Sequence, residues 1–264
     1  MKKINPIILI IFSVLFLSCS ENDDMKDTEN TENLENTLLA IRLLKEKSGD
    51  FENKYIFDSN NALVKIQSYY YGSGFIPGLN TTTNLAGEVI ITYDKGNIVS
   101  SKAYYNNGEM YEEYFFNYSS ANLISIIKNV AFGNGIKQIK TELEYDTNGI
   151  LNKIRTYNDQ RLTIEYDVVI NENGNLIEIS NNSGTTPIYY DDKLSPYKNF
   201  SVASKFLTMA GIKSIFSINN EISSNIEINY NSDDYPSKKK WSYPQPNSTI
   251  FITTIDYEYE LFDD

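Results

Sequence analysis

Apolar and polar residues alternate through most of the chain after about residue 55. In residues 162–167, for example, Leu162, Ile164 and Tyr166 are separated by polar side chains. The same period of two returns in residues 142–145, 225–230 and 251–261. This pattern predicts strands of a sheet that packs on one face and meets solvent on the other.

A local unit recurs within this alternation: a strand ending in Tyr or another apolar residue, a short polar turn, and the start of a second strand. Residues 91–99 show it as Ile-Thr-Tyr-Asp-Lys-Gly-Asn-Ile-Val, and Tyr93, Tyr118, Tyr145 and Ile170 follow at intervals of 25, 27 and 25 residues. That length accommodates two strands and two connections, so each unit is predicted to be a β-hairpin. The units lie at 55–63, 91–98, 116–123, 143–150 and 169–176, with truncated forms at 188–192 and 228–234.

The turns of these units carry acidic residues that admit two interpretations. Asp58, Asp94 and Asp146 could bind calcium, or each could hydrogen-bond its own backbone two residues further on. The close acidic series of a calcium loop is missing, and Gly96 or Gly149 supplies the positive φ of a short hairpin turn. Turn chemistry therefore accounts for these residues, and no metal site or cofactor is predicted.

Residues 33–47 show a different spacing, which predicts an N-terminal helix. Leu34, Leu38, Ile41 and Leu44 fall on one helical stripe, although a strand beginning near Leu38 is an alternative.

A second departure lies at residues 191–211, where Pro196 interrupts the strand pattern. The residues after it predict one short helix ending at Gly211. The predicted fold is all-β: an antiparallel meander of repeated β-hairpins forming a large curved or twisted sheet, with one N-terminal helix and one short inserted helix.

The first residues have the anatomy of a secretory signal, with Lys2 and Lys3 before an apolar run that ends at Leu17. The following Ser18-Cys19 resembles the end of a bacterial lipoprotein signal, in the form common among the Bacteroidota. An ordinary cleaved signal with an incidental cysteine is the alternative. The resemblance implies acylation of Cys19 and a membrane as partner through the lipid anchor.

These features divide the chain into three predicted regions. Residues 1–18 form the lipoprotein signal peptide, and 19–33 form a lipidated Cys and disordered acidic tether. Residues 34–264 form a single β-repeat domain. The acidic start of the tether, residues 21–24, resembles an export signal for outer-membrane lipoproteins. The expected location is the outer membrane, on its periplasmic face or at the cell surface.

Composition narrows the chemistry. The chain has 21 Tyr and 13 Phe but no His, which removes the commonest metal ligand and argues against Ser-His and Cys-His catalysis. The formal net charge of −12 argues against nucleic acid as a partner, because phosphate backbones repel an acidic chain. One cysteine cannot form an internal disulfide.

Aromatic residues supply the candidate ligand contacts. Neighbouring tyrosines alternate between the two faces of a strand, so some must meet solvent, where their rings could stack on a glycan or contact a protein. The alternative is that they form cross-strand pairs that stabilise the sheet. The candidates are Tyr69, Tyr71, Tyr104, Tyr114 and Trp241. Trp241 follows the basic run 238–240, for which a solvated strand start is the simpler interpretation.

Four motifs follow one another in the second half of the chain: Tyr190-Asp-Asp-Lys193, Ser195-Pro196-Tyr197, Ser217-Ile-Asn-Asn220 and Tyr230-Asn-Ser-Asp-Asp-Tyr235-Pro236. Their order resembles a family of Bacteroidota lipoproteins whose repeats are similar to the tyrosine-aspartate (YD/RHS-like) repeats of cell-surface proteins. The resemblance covers residues 50–262 and implies a curved or spiralling β-sheet, but no activity.

We therefore expect a non-catalytic binding or interaction module of the cell envelope, with a protein or glycan as partner. A purely structural envelope component is one alternative, and a carboxylate-dependent glycosidase is another, because two carboxylates suffice for that reaction. No nucleophile elbow or phosphate-binding glycine loop is present, and no enzyme is predicted. Function is expected where the repeat fails, at residues 72–84 and 191–211.

Overall fold

The computed structural model describes residues 40–70, 84–132, 135–208, 210–244 and 250–262. All of them belong to one compact unit, Leu38–Asp264. The predicted signal peptide 1–18, the tether 19–33 with Cys19, Tyr71 and the loop residues 72–83 lie outside the described residues.

The described residues form strands almost throughout, interrupted by two single-turn helices. The strands are β1 (Ala40–Ser48), β2 (Phe51–Phe57), β3 (Leu63–Tyr70), β4 (Asn84–Asp94), β5 (Asn97–Tyr105), β6 (Met110–Ser119), β7 (Asn122–Phe132), β8 (Gly135–Tyr145), β9 (Leu151–Asn158), β10 (Arg161–Ile170), β11 (Leu176–Asn181), β12 (Gly184–Pro187), β13 (Tyr189–Leu194), β14 (Asn219–Ile222), β15 (Ile226–Tyr230), β16 (Pro236–Pro244) and β17 (Ile250–Phe262). The helices are α1 (Val202–Lys205) and α2 (Ile212–Ile215).

Fifteen of the strands form one antiparallel sheet. Strands β1 to β12 follow each other as a meander, and β17, β16 and β15 continue the sheet beyond β1. The join is the pairing of β1 with β17, in which Ile41 lies opposite Leu261 and Ser48 opposite Ile255. The sheet is not closed, because β12 and β15 are its two edges. The predicted all-β meander of hairpins is confirmed.

The chain leaves one edge of the sheet at β12 and returns at the other edge with β15, and the residues between form an insertion. This insertion, residues 188–222, holds β13, α1, α2 and β14, with β13 and β14 paired in a separate two-stranded sheet. Its residues Phe200, Ala203 and Phe216 belong to the same hydrophobic cluster as residues from β1 to β11. We call the sheet face that carries this cluster the core face and the opposite one the outer face.

The repeated turns all lie at one end of the strands, which we call the turn rim. The turns after β2, β4, β6, β8, β10 and β15 share this end, because successive hairpins run back and forth. Between Asp94 and Asn97 the two turn residues, Lys95 and Gly96, have φ values of 49° and 81°. Positive φ at both central positions is the requirement of the tight turn that matches the twist of a hairpin.

Burial is concentrated beside the turn rim. In β8 the residues at the opposite end are exposed, whereas Leu143, two residues before the strand ends, is 4% exposed. Strand β10 shows the same gradient, with its buried residue Val168 near the turn. The insertion therefore covers the turn-rim half of the core face.

Many ion pairs lie on the outer face, as the alternation of apolar and charged residues along the strands predicts. Lysine and arginine side chains on one strand contact acidic side chains on its neighbour, which keeps this face hydrated and balanced. The pairs include Lys65–Glu88, Lys102–Glu113, Arg155–Glu144, Arg155–Glu165, Lys238–Asp256 and Lys240–Glu227.

The predicted N-terminal helix is wrong for residues 40–47, which form most of β1. The register with β17 shifts between Leu43 and Lys45, so that Leu44 is the extra residue of a bulge. A bulge breaks the period of two, and this is why Ile41 and Leu44 imitate a helical stripe. The alternative of a strand from near Leu38 agrees with the described part, and residues 33–39 lie outside it.

The insertion also differs in detail from its prediction. One helix ending at Gly211 was predicted, whereas Gly211 precedes α2, and α1 is an earlier separate turn. Ser201 begins α1 by accepting a hydrogen bond from the backbone N–H of Ser204 at 3.1 Å. Each helix has four residues, too few to be stable without the sheet beneath it.

Replacement of Gly96 by Ala should destabilise the protein by about 1 kcal/mol, because an L-residue with a Cβ resists left-handed φ. No atom lies within 4 Å of the position a Cβ would take, so steric crowding contributes nothing. Urea denaturation measures the difference. The control Gly96→Asn should retain most of the stability, since Asn tolerates this conformation; equal losses in the two variants would contradict the explanation.

Candidate functional site

The tyrosines of the repeat tie neighbouring hairpins together at the turn rim. The hydroxyl of Tyr93 donates to the carbonyl of Leu63 at 3.0 Å, and that of Tyr145 donates to the carbonyl of Leu123 at 2.8 Å. In each case the acceptor begins the second strand of the preceding hairpin. Tyr190 and Tyr259 make the equivalent bonds, to Leu176 and Pro236. These hydroxyls therefore have a structural role, and the rings are partly buried against the hydrophobic cluster.

The turn carboxylates are used within their own turns. Asp58 Oδ1 accepts hydrogen bonds from the backbone N–H groups of Asn60 at 2.8 Å and Ala62 at 2.9 Å. Asp146 does the same with Asn148 and Ile150. In the part of the chain that the structure describes, no group of three His, Cys, Asp or Glu residues is arranged to hold a metal ion.

A cleft of about 460 Å³ separates the turn rim from the segment before and within α1. We call it the rim cleft. Four consecutive repeats line it with amides or tyrosine rings, and the middle two contribute one of each: Asn61, Asn97, Asn122, Tyr93, Tyr118 and Tyr145. The opposite wall is the segment from Asn199 to Ser204. The cleft crosses from β3 to β8, five strand spacings or roughly 24 Å.

The tyrosines of the rim cleft lie between the hydrophobic cluster and solvent. Burial raises the pKa of Tyr93, with a smaller contribution from the nearby carboxylate of Asp58. Burial also raises the pKa values of Tyr118 and Tyr145. All three phenols thus stay neutral at physiological pH and present ring surface rather than charge.

A second cleft, of about 350 Å³, lies between the two helices and the next two hairpin turns. We call it the lysine cleft. Its lining is almost entirely apolar, with Ile150, Ile170 and Phe216 among the contributors, and its charged member is Lys205. Lys205 is 6% exposed, and its Nζ donates to the carbonyl of Ser217 at 3.2 Å. Burial lowers its pKa to about 8.

A buried carboxylate joins the insertion to the first two strands. Glu46 of β1 has no exposed surface, and it accepts hydrogen bonds from the hydroxyls of Tyr55 in β2 and Tyr197 in the insertion. The amide of Asn53 lies 3.4 Å from the same carboxylate. Burial, followed by the charge of Glu46, raises the pKa values of Tyr55 and Tyr197 well above the usual range. Both phenols therefore stay protonated and donate to Glu46, and these hydrogen bonds connect the insertion to β1 and β2.

The candidate ligand contacts do not converge on one surface. Tyr69 and Tyr104 project from the outer face, where Lys54 Nζ lies 4.6 Å from the ring centre of Tyr69. Tyr114 lies on the core face, and its hydroxyl donates to Glu112 Oε2 at 3.1 Å. Trp241 also lies on the core face, with Lys239 Nζ at 4.9 Å from its ring. Tyr71 and Cys19 are outside the described residues.

The residues that line the two clefts were not among those candidates. The sequence pattern places Asn97 and Asn122 in the polar turns of units 91–98 and 116–123, and it predicts no role for Lys205. The available signal for Lys205 was a lone lysine between the apolar pairs Val202-Ala203 and Phe206-Leu207. That function lies in residues 191–211 stays a prediction. Residues of this segment line both clefts.

The fold and its clefts define a class: a β-repeat protein with an open antiparallel sheet whose core face is covered by an insertion. Within the described ranges, no helix is long and apolar enough to cross a membrane. No protein-family profile and no curated protein sequence matches the chain.

Solved structures give the fold a precedent. A porin-like protein from Bacteroides uniformis aligns with a TM-score of 0.50 and 9% identity, covering 83% of this chain and 98% of that chain. A porin-like protein from Bacteroides vulgatus aligns with a TM-score of 0.38 and 15% identity, covering 84% of this chain and 99% of that one. A Tc holotoxin pore from Photorhabdus luminescens aligns with a TM-score of 0.31 and 13% identity, over 77% of this chain and 10% of that chain. At such identities the first likeness shows a shared fold alone.

Lys205→Met should stabilise the protein near pH 7, and the gain should shrink as pH rises. The pKa of Lys205 is about 8 when folded against 10.5 for an ordinary lysine, so between these values the unfolded chain binds a proton that the folded chain lacks. The wild type therefore gains stability relative to the variant through this window, by about 2 kcal/mol between pH 7 and pH 10.

Urea denaturation of both proteins at each pH gives this double difference, in which the ionisation of the tyrosines cancels. Lys198→Met, an exposed position in the same insertion, is the control for general charge effects. An advantage of Lys205→Met that stays constant with pH would contradict the assignment of a buried ammonium.

Proposed function

We propose that this protein is a lipid-anchored lipoprotein of the cell envelope that acts as a non-catalytic binding module, with the rim cleft as its site and a glycan chain as its ligand. The observation that carries the proposal is the repetition within one elongated cleft. Asn97 with Tyr93, and Asn122 with Tyr118, recur from hairpin to hairpin along the same wall.

A periodic site suits a periodic polymer. Successive hairpins are two strands apart, about 9.6 Å, which is close to the length of one disaccharide in an extended glycan. Amide groups can exchange hydrogen bonds with sugar hydroxyls, and neutral tyrosine rings offer apolar surface to a sugar face. The net charge of −12 favours a neutral or basic ligand over an anionic one.

The proposed envelope location is supported by the N-terminal sequence, which is separate from the rim cleft. The apolar run before Leu17-Ser18-Cys19 has the form of a lipoprotein signal, and two or more acyl chains on one cysteine would anchor a protein stably. The porin-like description belongs to the similar Bacteroides structures, and it is compatible with an envelope protein. The orderly ion pairs of the outer face suit a surface kept in water.

The anchor is tested by replacing its acceptor residue. Cys19→Ala should remove incorporation of labelled palmitate and move the protein from the membrane fraction to the soluble fraction, because no thiol remains to carry the acyl chains. Ser20→Ala, which keeps the cysteine, should behave as the wild type. Equal membrane association and label in the Cys19→Ala protein would refute the anchor.

The binding site is tested with residues 20–264, which retain the whole compact unit, on an array of neutral and basic glycans. Ala121→Trp places a large ring in the rim cleft, since Ala121 lines it, and should weaken binding by about tenfold or more. Thr147→Trp, an exposed residue of another repeat turn that lies outside the lining, should bind as the wild type does.

Two outcomes would overturn the proposal. One is the absence of any glycan ligand for the wild type, in which case capture of an envelope protein would favour protein recognition instead. The other is equal glycan affinity in the Ala121→Trp and Thr147→Trp proteins, which would place binding elsewhere on the molecule.

A further inference from the structure

The lysine cleft has a property that the packing of the protein does not account for: a buried cation without a counter-ion. Lys205 is 94% buried in a wall that is almost entirely apolar, and among the described residues it forms no ion pair. Its ammonium group has three N–H donors, and the carbonyl of Ser217 accepts one of them. A buried charge is costly unless it is paired and fully hydrogen-bonded.

The surroundings offer no substitute for the missing partner. The side chains that line the cleft include no Asp or Glu. Pairs such as Lys213 with Glu221 show that the same insertion places a carboxylate beside a lysine elsewhere. Burial is accordingly the cause of the lowered pKa of Lys205, with no acidic residue opposing it.

We propose that the lysine cleft is a binding site for a small monocarboxylate with an apolar chain, such as a medium-chain fatty acid. The carboxylate would accept hydrogen bonds from Lys205 Nζ and supply the missing negative charge. The apolar chain would lie along the side chains of Ile150, Ile170 and Phe216. This site adjoins the rim cleft, with which it shares the lining residues Tyr145 and Val202, but it does not rest on the function proposed there.

The dimensions and chemistry of the cleft fit this ligand class. A volume of about 350 Å³ is at the lower end of the range for small-molecule pockets, so a short chain fits better than a large ring system. The apolar lining can contact the hydrocarbon chain of the ligand, and the single cation can orient its carboxylate. Small-molecule sites commonly combine an apolar lining with a few polar groups in this way. A neutral molecule of the same shape would leave the ammonium unpaired.

Octanoate is a suitable probe, titrated into residues 20–264 by calorimetry at pH 7 and kept below its micelle concentration. The wild type should bind octanoate, whereas octan-1-ol, which has the same chain without the charge, should bind about tenfold more weakly or worse. Lys205→Met should lose the preference for the carboxylate, and the control Lys198→Met should keep it. Because Lys205→Met is expected to be at least as stable as the wild type, loss of binding would not reflect unfolding.

A second variant tests the cleft without touching the lysine. Ile150 lies at the cleft and is 45% exposed, so Ile150→Trp can fill the apolar part while leaving the core in place. This variant should also weaken octanoate binding by about tenfold. Proton uptake provides an additional readout: at pH 8.5, binding should draw a fraction of a proton onto Lys205, and the uptake should be absent in Lys205→Met.

Three results would overturn the proposal. The first is no octanoate binding by the wild type. The second is equal binding of octanoate and octan-1-ol, which would indicate an apolar groove without a role for charge. The third is unchanged affinity in both Lys205→Met and Ile150→Trp. None of these results bears on glycan binding at the rim cleft, so the two proposals fail separately.

Discussion

A wide antiparallel sheet with one apolar face requires a cover for that face, and the cover here is the insertion of residues 188–222. Phe200 and Phe216 belong to one hydrophobic cluster with residues from β1 to β11. At one end the insertion is held by the Tyr197 hydroxyl on the buried carboxylate of Glu46, and at the other by Asn175, whose side chain bonds the insertion at Asn219. Tyr93 and Tyr145, which link successive hairpins, pack against the hydrophobic cluster to which the insertion contributes.

Both clefts exist because the insertion does not pack tightly against the hairpin turns. Two single-turn helices and the irregular segment around them cannot follow a row of regularly spaced turns, so space remains on either side of α1. On one side the space meets the amides and tyrosines of the turns, and on the other it meets apolar residues and one lysine. The repeat therefore supplies a uniform wall, and the insertion makes the two spaces chemically different.

The hairpins were predictable because their determinants are local. Each requires only alternating residues and a turn such as Asp94-Lys95-Gly96-Asn97, all within about ten residues. Strand β1 was harder to predict by the same means, because one of its two partners, β17, lies more than two hundred residues away and its bulge at Leu44 disguises the alternation. Likewise, the apolar neighbours of Lys205 are a weak local signal of burial, and the burial of Glu46 depends on Tyr197, which lies 151 residues away. The sequence indicated the turns and the insertion as separate features, and only their contact in the folded chain produces a site.

The pairing of β1 with β17 has a consequence for how the molecule is made. Arg42 and Glu260, which form an ion pair across this joint, are 218 residues apart, and β1 has no complete set of neighbours until the last strand arrives. Hairpins can form as the chain emerges, since each closes a short loop, but the joint closes the longest loop in the protein. During synthesis, one edge of the growing sheet must therefore stay unpaired and exposed to other chains until β17 has been made.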